Sequence, residues 1–363
     1  MSQRANGSGD GHRVPGMRAV VLNGPGDVSV DDVDDARLPG PDGVLVRVER
    51  TAICGSDLHL YHGDMAIPGV HLGHEFIGTV EEAGDDVHRV VAGDRVLVSG
   101  VIGCGRCREC VTGWPMRCLA GGSQVFGTSL ELAGGQAEAV GVPAADTSVR
   151  VIPEAVTDEQ AVLLTDILPT GFIGARRADI VPGSTVAVIG LGPVGICALR
   201  SALLHSPARV LAVDPVPHRR AHAERLGAEP VDPSDGGTMN QLLEATGGRG
   251  PDSIIEAVGR DETINDAIMS VCPGGTVSVV GVSTNLAHPF PMAIAMYKGI
   301  TFRICVADIP STWDQLIPLI EHGRLAPEDV FTHRVGLSEA PAAYRMFDDR
   351  TDGVVKVLLD PGA

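Results

Sequence analysis

Between Met17 and about Val151 the chain sets short apolar or alternating runs between glycines and prolines. Examples are VLVRVERTAI (44–53), FIGTVEEAG (76–84) and DRVLVSGVI (94–102), and they predict a β-rich unit. From about Val181 to Lys298 the rhythm changes. The apolar runs STVAVIG (184–190), ARVLAVD (208–214), DSIIEAV (252–258) and GTVSVVGV (275–282) read as strands, most of them separated by about 10–15 residues of helical pattern. Strands alternating with helices predict βαβ units and a parallel sheet. Beyond Gly299 come two helical stretches, 311–323 and 338–349, and a last strand, GVVKVLLD (353–360). The polar, glycine-rich start, MSQRANGSGDGHRVPG (1–16), reads as a disordered tail.

Composition narrows the class. A chain of 363 residues suits two or three domains. With only 3% aromatic residues the core has to be built from Val, Ala, Leu and Ile. Neither a signal-peptide core nor a membrane-length apolar run is present, so a cytoplasmic protein with no membrane partner is expected. A formal net charge of −18 argues against a nucleic-acid partner, because a polyanion would be repelled. Eight cysteines without a secretion signal favour metal or redox use over a disulfide framework.

STVAVIGLGPVGICALRSALL places Gly190, Gly192 and Gly195 between an apolar strand and a helix that Pro193 and Val194 open. Gly190 permits a tight turn, Gly192 lets backbone approach a pyrophosphate, and Gly195 permits close helix–strand packing. Asp214 follows at the end of the next strand, where a carboxylate can bond a ribose 2′-hydroxyl and repels a 2′-phosphate. NAD is therefore favoured. Arg219 and Arg220 close behind keep NADP open as the alternative.

GCGRCREC (103–110) and Cys118 give C-x2-C-x2-C-x7-C, namely Cys104, Cys107, Cys110 and Cys118. Four thiolates this close can surround a structural Zn²⁺ with no coordination position left over. An iron–sulfur cluster is the competing occupant. A dispersed second set comprises Cys54, Ser56 and His59 in CGSDLH, His74 and Glu75 in LGHEFIG, and Asp166 in LLTDILPTG. Cys, His and Asp are all zinc ligands, and three of them with one open position is the catalytic pattern. By spacing alone Asp166 suits a ligand or a helix cap equally. His71 is a rival ligand, and His62 and His88 read as surface residues.

Over essentially all of 17–363 the chain resembles the zinc-dependent medium-chain alcohol dehydrogenases. The resemblance is carried by CGSDLH, the G-H-E of LGHEFIG, the four-cysteine lobe, TDILPT and GLGPVG, in this order. It implies an α/β fold in which a Rossmann doubly wound parallel sheet is inserted into a GroES-like β-rich catalytic domain. The corresponding units are 17–172, with the zinc lobe at about 99–120, then 173–300 for the dinucleotide, and 301–363 returning to the catalytic domain. It further implies Cys54, His74 and Asp166 as catalytic zinc ligands, Glu75 beside or in the coordination sphere, and Ser56 and His59 as a proton relay. Thr170 and Val282 would contact the nicotinamide and Lys356 the pyrophosphate. An aspartate as third ligand is similar to the branch of formaldehyde dehydrogenase-like and some secondary-alcohol enzymes.

The implied activity is hydride transfer between an alcohol, aldehyde or ketone and NAD, with two zinc ions per chain and a homo-oligomeric state, dimer or tetramer. One alternative is aldehyde dismutation on a tightly held NAD, with segment 121–136 lining or covering the cleft. The other is a non-catalytic zinc- and NAD-binding sensor or scaffold.

Overall fold

The computed structural model describes residues 16–64 and 67–363. All but the last residue of the tail expected over 1–16 lies outside them; Gly16 already opens the first strand, Gly16–Gly24. Six parallel strands form one sheet, in the order Glu229–Val231, Arg209–Val213, Thr185–Ile189, Ser253–Glu256, Thr276–Val279 and Thr301–Ile304. Relative to the chain this is the order 3-2-1-4-5-6 of a dinucleotide-binding sheet. The four central strands are the four apolar runs of the sequence. Val186, Ala187, Val188, Leu211, Ala212, Ile254, Ile255 and Val277 are fully buried, as strands covered on both faces require.

The two outer strands carry no such signal. Glu229–Val231 is short and mostly exposed, and Thr301–Ile304 is only partly covered. Because Thr301–Ile304 pairs in parallel with Thr276–Val279, the expected boundary at 300 falls one strand too early. The other boundary, at 172, falls inside the helix Ile167–Arg176.

The β-rich unit surrounds this sheet in sequence. Its central strand, Val44–Ala52, pairs with Phe76–Ala83, with Ala139–Val142 and with the final strand Lys356–Asp360. DRVLVSGVI is divided into Arg95–Val98 and Val101–Ile102, because Ser99 and Gly100 turn the chain between them; Gly100 donates its N–H to the Thr165 carbonyl. The C-terminal helix Ala340–Asp349 buries Ala340, Ala343, Tyr344 and Phe347 in a cluster with Leu22, Leu60 and Leu72. Among the described residues no helix is long and apolar enough to cross a membrane.

Candidate active site

Two loops and the start of one helix bring the dispersed set together. One ligand atom from each of Cys54, His74, Glu75 and Asp166 lies within 4.8 Å of the others. Cys54 ends the stretch that leads from Val44–Ala52 into the short helix Asp57–His62. His74 follows Gly73, whose φ of +100° favours glycine and where a side chain would overlap Gln136. Asp166 stands at the N-terminal cap position of Ile167–Arg176 but its side chain makes no cap hydrogen bond. That resolves the even choice left by spacing against the capping role.

The interatomic distances suit a zinc ion. Cys54 Sγ is 3.5 Å from Asp166 Oδ2, and His74 Nε2 is 3.4 Å from the same oxygen. A tetrahedron with ordinary zinc bond lengths has S–O and N–O edges of about 3.6 and 3.4 Å. A thiolate and a carboxylate would neutralise a dication, with a neutral imidazole completing the set. Burial and then Glu75 push the Cys54 thiol up to about 11, so a cation is what would hold it as thiolate. Burial works against ionised Asp166 as well, yet His74, Lys356 and Thr170 hold its carboxyl below the usual range. His71 is half-buried in a two-residue strand, outside the set. His62 pairs with Asp348 at the surface, and His88 binds Asp146 only through its backbone N–H.

Ser56 Oγ is 3.2 Å from both Cys54 Sγ and His74 Nε2. His59, three residues on, places Nδ1 3.1 Å from Asp64 Oδ2 at the protein surface. Thr170 sits one turn into the helix and donates to Asp166 Oδ1 at 3.1 Å, which leaves Oδ2 turned to Cys54 and His74. Its observed contact is thus with the aspartate. The sequence reading missed Asp57. This carboxylate is buried, accepts the Cys54 N–H at 3.0 Å, and lies 3.2 Å from His74 Nδ1. Its place inside CGSDLH was the available signal.

Lys356 corrects an expectation. It opens the final strand, is wholly buried, and places Nζ 2.6 Å from Glu75 Oε2 and 3.1 Å from the Ile53 carbonyl. An ammonium enclosed in this way cannot reach a pyrophosphate. Burial disfavours its charge, but Glu75, Cys54 and Asp166 together outweigh that and raise its pKa. Burial also raises the Glu75 carboxyl, with Lys356 opposing, so the ionised glutamate depends on this lysine.

The four-cysteine lobe is compact as well. Cys107 and Cys110 sulfurs are 3.5 Å apart and those of Cys104 and Cys110 4.0 Å, around the S–S edge of about 3.8 Å for tetrahedral ZnS₄. The backbone N–H groups of Arg106 and Cys107 lower the Cys104 thiol to about 6, whereas burial raises Cys110 to about 12. All eight cysteines are free of disulfides.

In the glycine-rich turn each glycine has its own reason. Gly190 has φ +88° and would press a side chain on Val258, and a side chain at Gly195 would overlap the Gly190 carbonyl. At Gly192 the space is open, with only Arg219 Nη1 near at 3.9 Å. Pro193 and Val194 begin the helix Pro193–Leu203. Asp214 is buried, and its two oxygens accept the Leu191 and Val216 N–H groups at 2.8 Å. The carboxylate therefore shapes the turn. Arg219 lies 3.8 Å from it, and Arg220 is engaged by the Asp214 carbonyl and Asp232. Val282 is half-exposed in the loop after Thr276–Val279.

Residues 40–154 match the alcohol dehydrogenase GroES-like domain and residues 193–322 the zinc-binding dehydrogenase domain. A Mycobacterium tuberculosis protein named as a zinc-binding alcohol dehydrogenase is 48% identical over 95% of this chain and 89% of its own length. The solved alcohol dehydrogenase TADH from Thermus sp. ATN1 superposes with a TM-score of 0.88 at 39% identity, covering 95% of this chain and 99% of that one. A zinc-binding dehydrogenase of Sinorhizobium meliloti 1021, solved with NADP, has a TM-score of 0.82 at 30% identity, covering 96% and 100%.

Breaking the buried ion pair on one side leaves an uncompensated charge, which costs about 3–5 kcal/mol. Lys356→Met is expected to lose about that much in denaturant unfolding, and Lys356→Met with Glu75→Gln to recover most of it. Equal stability of Lys356→Met and the parent would refute the pairing.

Proposed function

Because this chain belongs to the zinc-dependent medium-chain alcohol dehydrogenase family, and is an oxidoreductase on that ground, we propose that it transfers a hydride between an alcohol, or the matching aldehyde or ketone, and NAD. One observation carries the reading: a single helix links the two candidate sites. Ile167–Arg176 starts at Asp166, and at Gly171 it lies so close to Cys197 and Ala198 of the glycine-turn helix that no side chain fits between. A substrate held at Asp166 would then sit at a set distance from a dinucleotide on Gly190–Gly195.

In this reading Cys54, His74 and Asp166 hold the catalytic zinc, with Glu75 at its flank, and the four-cysteine lobe holds a structural zinc. When bound, zinc supplies Lewis acidity toward the substrate oxygen and the nicotinamide supplies the hydride acceptor. The side chains move the proton. Ser56 Oγ stands beside two of the ligand atoms and can take a proton from a substrate hydroxyl. His59, backed by Asp64, offers its exit to solvent. Val282 and Arg219 flank the dinucleotide, and Asp214 favours NAD through the ribose hydroxyl. The third-ligand aspartate supports the formaldehyde dehydrogenase-like or secondary-alcohol branch.

The reading extends to a homo-oligomer. Thr301–Ile304 is an outer strand of the parallel sheet, and Leu286, Met292, Met296, Tyr297 and Ile304 in and before it are exposed. An exposed edge strand, with an apolar loop and the helix Met292–Lys298 before it, calls for cover.

A panel of alcohols and aldehydes, followed by nicotinamide absorbance with NAD and NADP, tests the activity; no turnover over a broad panel would overturn it. Cys54→Ser and Asp166→Asn are each expected to abolish turnover and release one of two zinc ions, whereas Cys107→Ser loses the lobe zinc and soluble protein. Full activity in either of the first two would refute its ligand role. Asp214→Ala should lower kcat/KM for NAD more than for NADP, and an unchanged ratio would remove the ribose contact. Light scattering should find an oligomer that Ile304→Lys converts to smaller species; an unaltered mass would rule out this edge.

A further inference from the structure

Gln136 closes the 121–136 segment and is completely buried. A primary amide in that position is costly unless its hydrogen bonds are made. Its Nε2 donates to the Ala52 carbonyl at 3.1 Å and to Asp57 Oδ2 at 3.2 Å. Its Oε1 receives the Tyr344 hydroxyl at 2.8 Å. The amide has only one workable orientation. The Ala52 carbonyl can only accept, so the NH₂ must face it and the oxygen must face Tyr344. Tyr344 in turn is buried in the C-terminal helix, 208 residues away in sequence.

Asp57 passes this arrangement on. Its Oδ2 takes the Cys54 N–H and the Gln136 amide, while Oδ1 lies 3.2 Å from His74 Nδ1. These last two atoms face each other as a buried ion-pair contact, and neither has another partner. The plane of the carboxylate therefore decides how His74 is met on its Nδ1 side, and hence how Nε2 is aimed at Cys54 and Asp166.

We propose that Gln136 and Tyr344 are positioning residues for the metal centre, acting on His74 through Asp57. This rests on Cys54, His74 and Asp166 being the zinc ligands. Tyr344 orients the amide, the amide fixes the carboxylate, and the carboxylate fixes the imidazole. A loop and a C-terminal helix with no metal ligand of their own thereby set the geometry of a ligand contributed from elsewhere.

The test measures metal rather than turnover. Full-length Gln136→Leu, Tyr344→Phe, the double variant, Asp57→Asn and Cys54→Ser are titrated with a chelator for each zinc, and their cobalt-substituted forms are read by visible absorption. Gln136→Leu should weaken the catalytic-site metal by about 10–100-fold and shift the cobalt bands, with the lobe zinc held as in the parent. Tyr344→Phe should change both readouts in the same direction by less. The double variant should be no weaker than Gln136→Leu, since Tyr344 acts through the amide. Parent-like affinity and spectra in Gln136→Leu and Tyr344→Phe, with Asp57→Asn impaired, would overturn the proposal. Should Gln136→Leu not fold, Tyr344→Phe decides by the same two readouts. A Cys54→Ser protein that keeps both metals would sink the ligand assignment itself, a separate result.

Discussion

Cys54, Asp57, His74 and Glu75 are buried together beside the partly exposed Asp166, and charge removed from water must be compensated close by. The chain has only two lysines. One of them, Lys356, is spent on Glu75 without any exposure. That requirement explains why the final strand returns to pair beside Ala52: Leu358 and Leu359 register with Ala52 and Thr51, which carries Lys356 beneath the site. The final strand thereby supplies the countercharge that buried Glu75 requires.

The linkage between the two units follows the same logic of close approach. Asp166 belongs to the charged cluster, and the helix it begins is apolar and buried for almost its whole length. Gly171 removes the side chain that would separate this helix from Cys197 and Ala198, and Gly195 does the same between helix and strand at the dinucleotide turn. Small residues thus convert two sequence-distant motifs into one working distance. The four-cysteine lobe is docked in similar fashion: Gly113 abuts Ser311, and Arg117 covers Trp114 while its guanidinium lies 3.6 Å from buried Asp308.

Much of this was legible from residue order. The four central strands announced themselves by uninterrupted apolar runs, since a sheet covered on both faces has no polar side to show. The glycine-rich turn and the cysteine lobe were legible because each is local: the groups that must meet lie within a few residues of one another. The outer strands Glu229–Val231 and Thr301–Ile304 were not, because an edge strand half in water loses the apolar signal.

The class of protein, the composition of both candidate metal sets and the three glycines are legible along the chain, because they depend on residue type and short spacing. What depends on distant pairs came from the folded chain alone. It put Lys356 against Glu75 instead of a cofactor, left Asp166 free of its helix cap, and set Asp57, Gln136 and Tyr344 in one line behind His74. No local pattern records such partners, since burial and hydrogen bonding between residues 300 positions apart exist only once the chain has closed on itself.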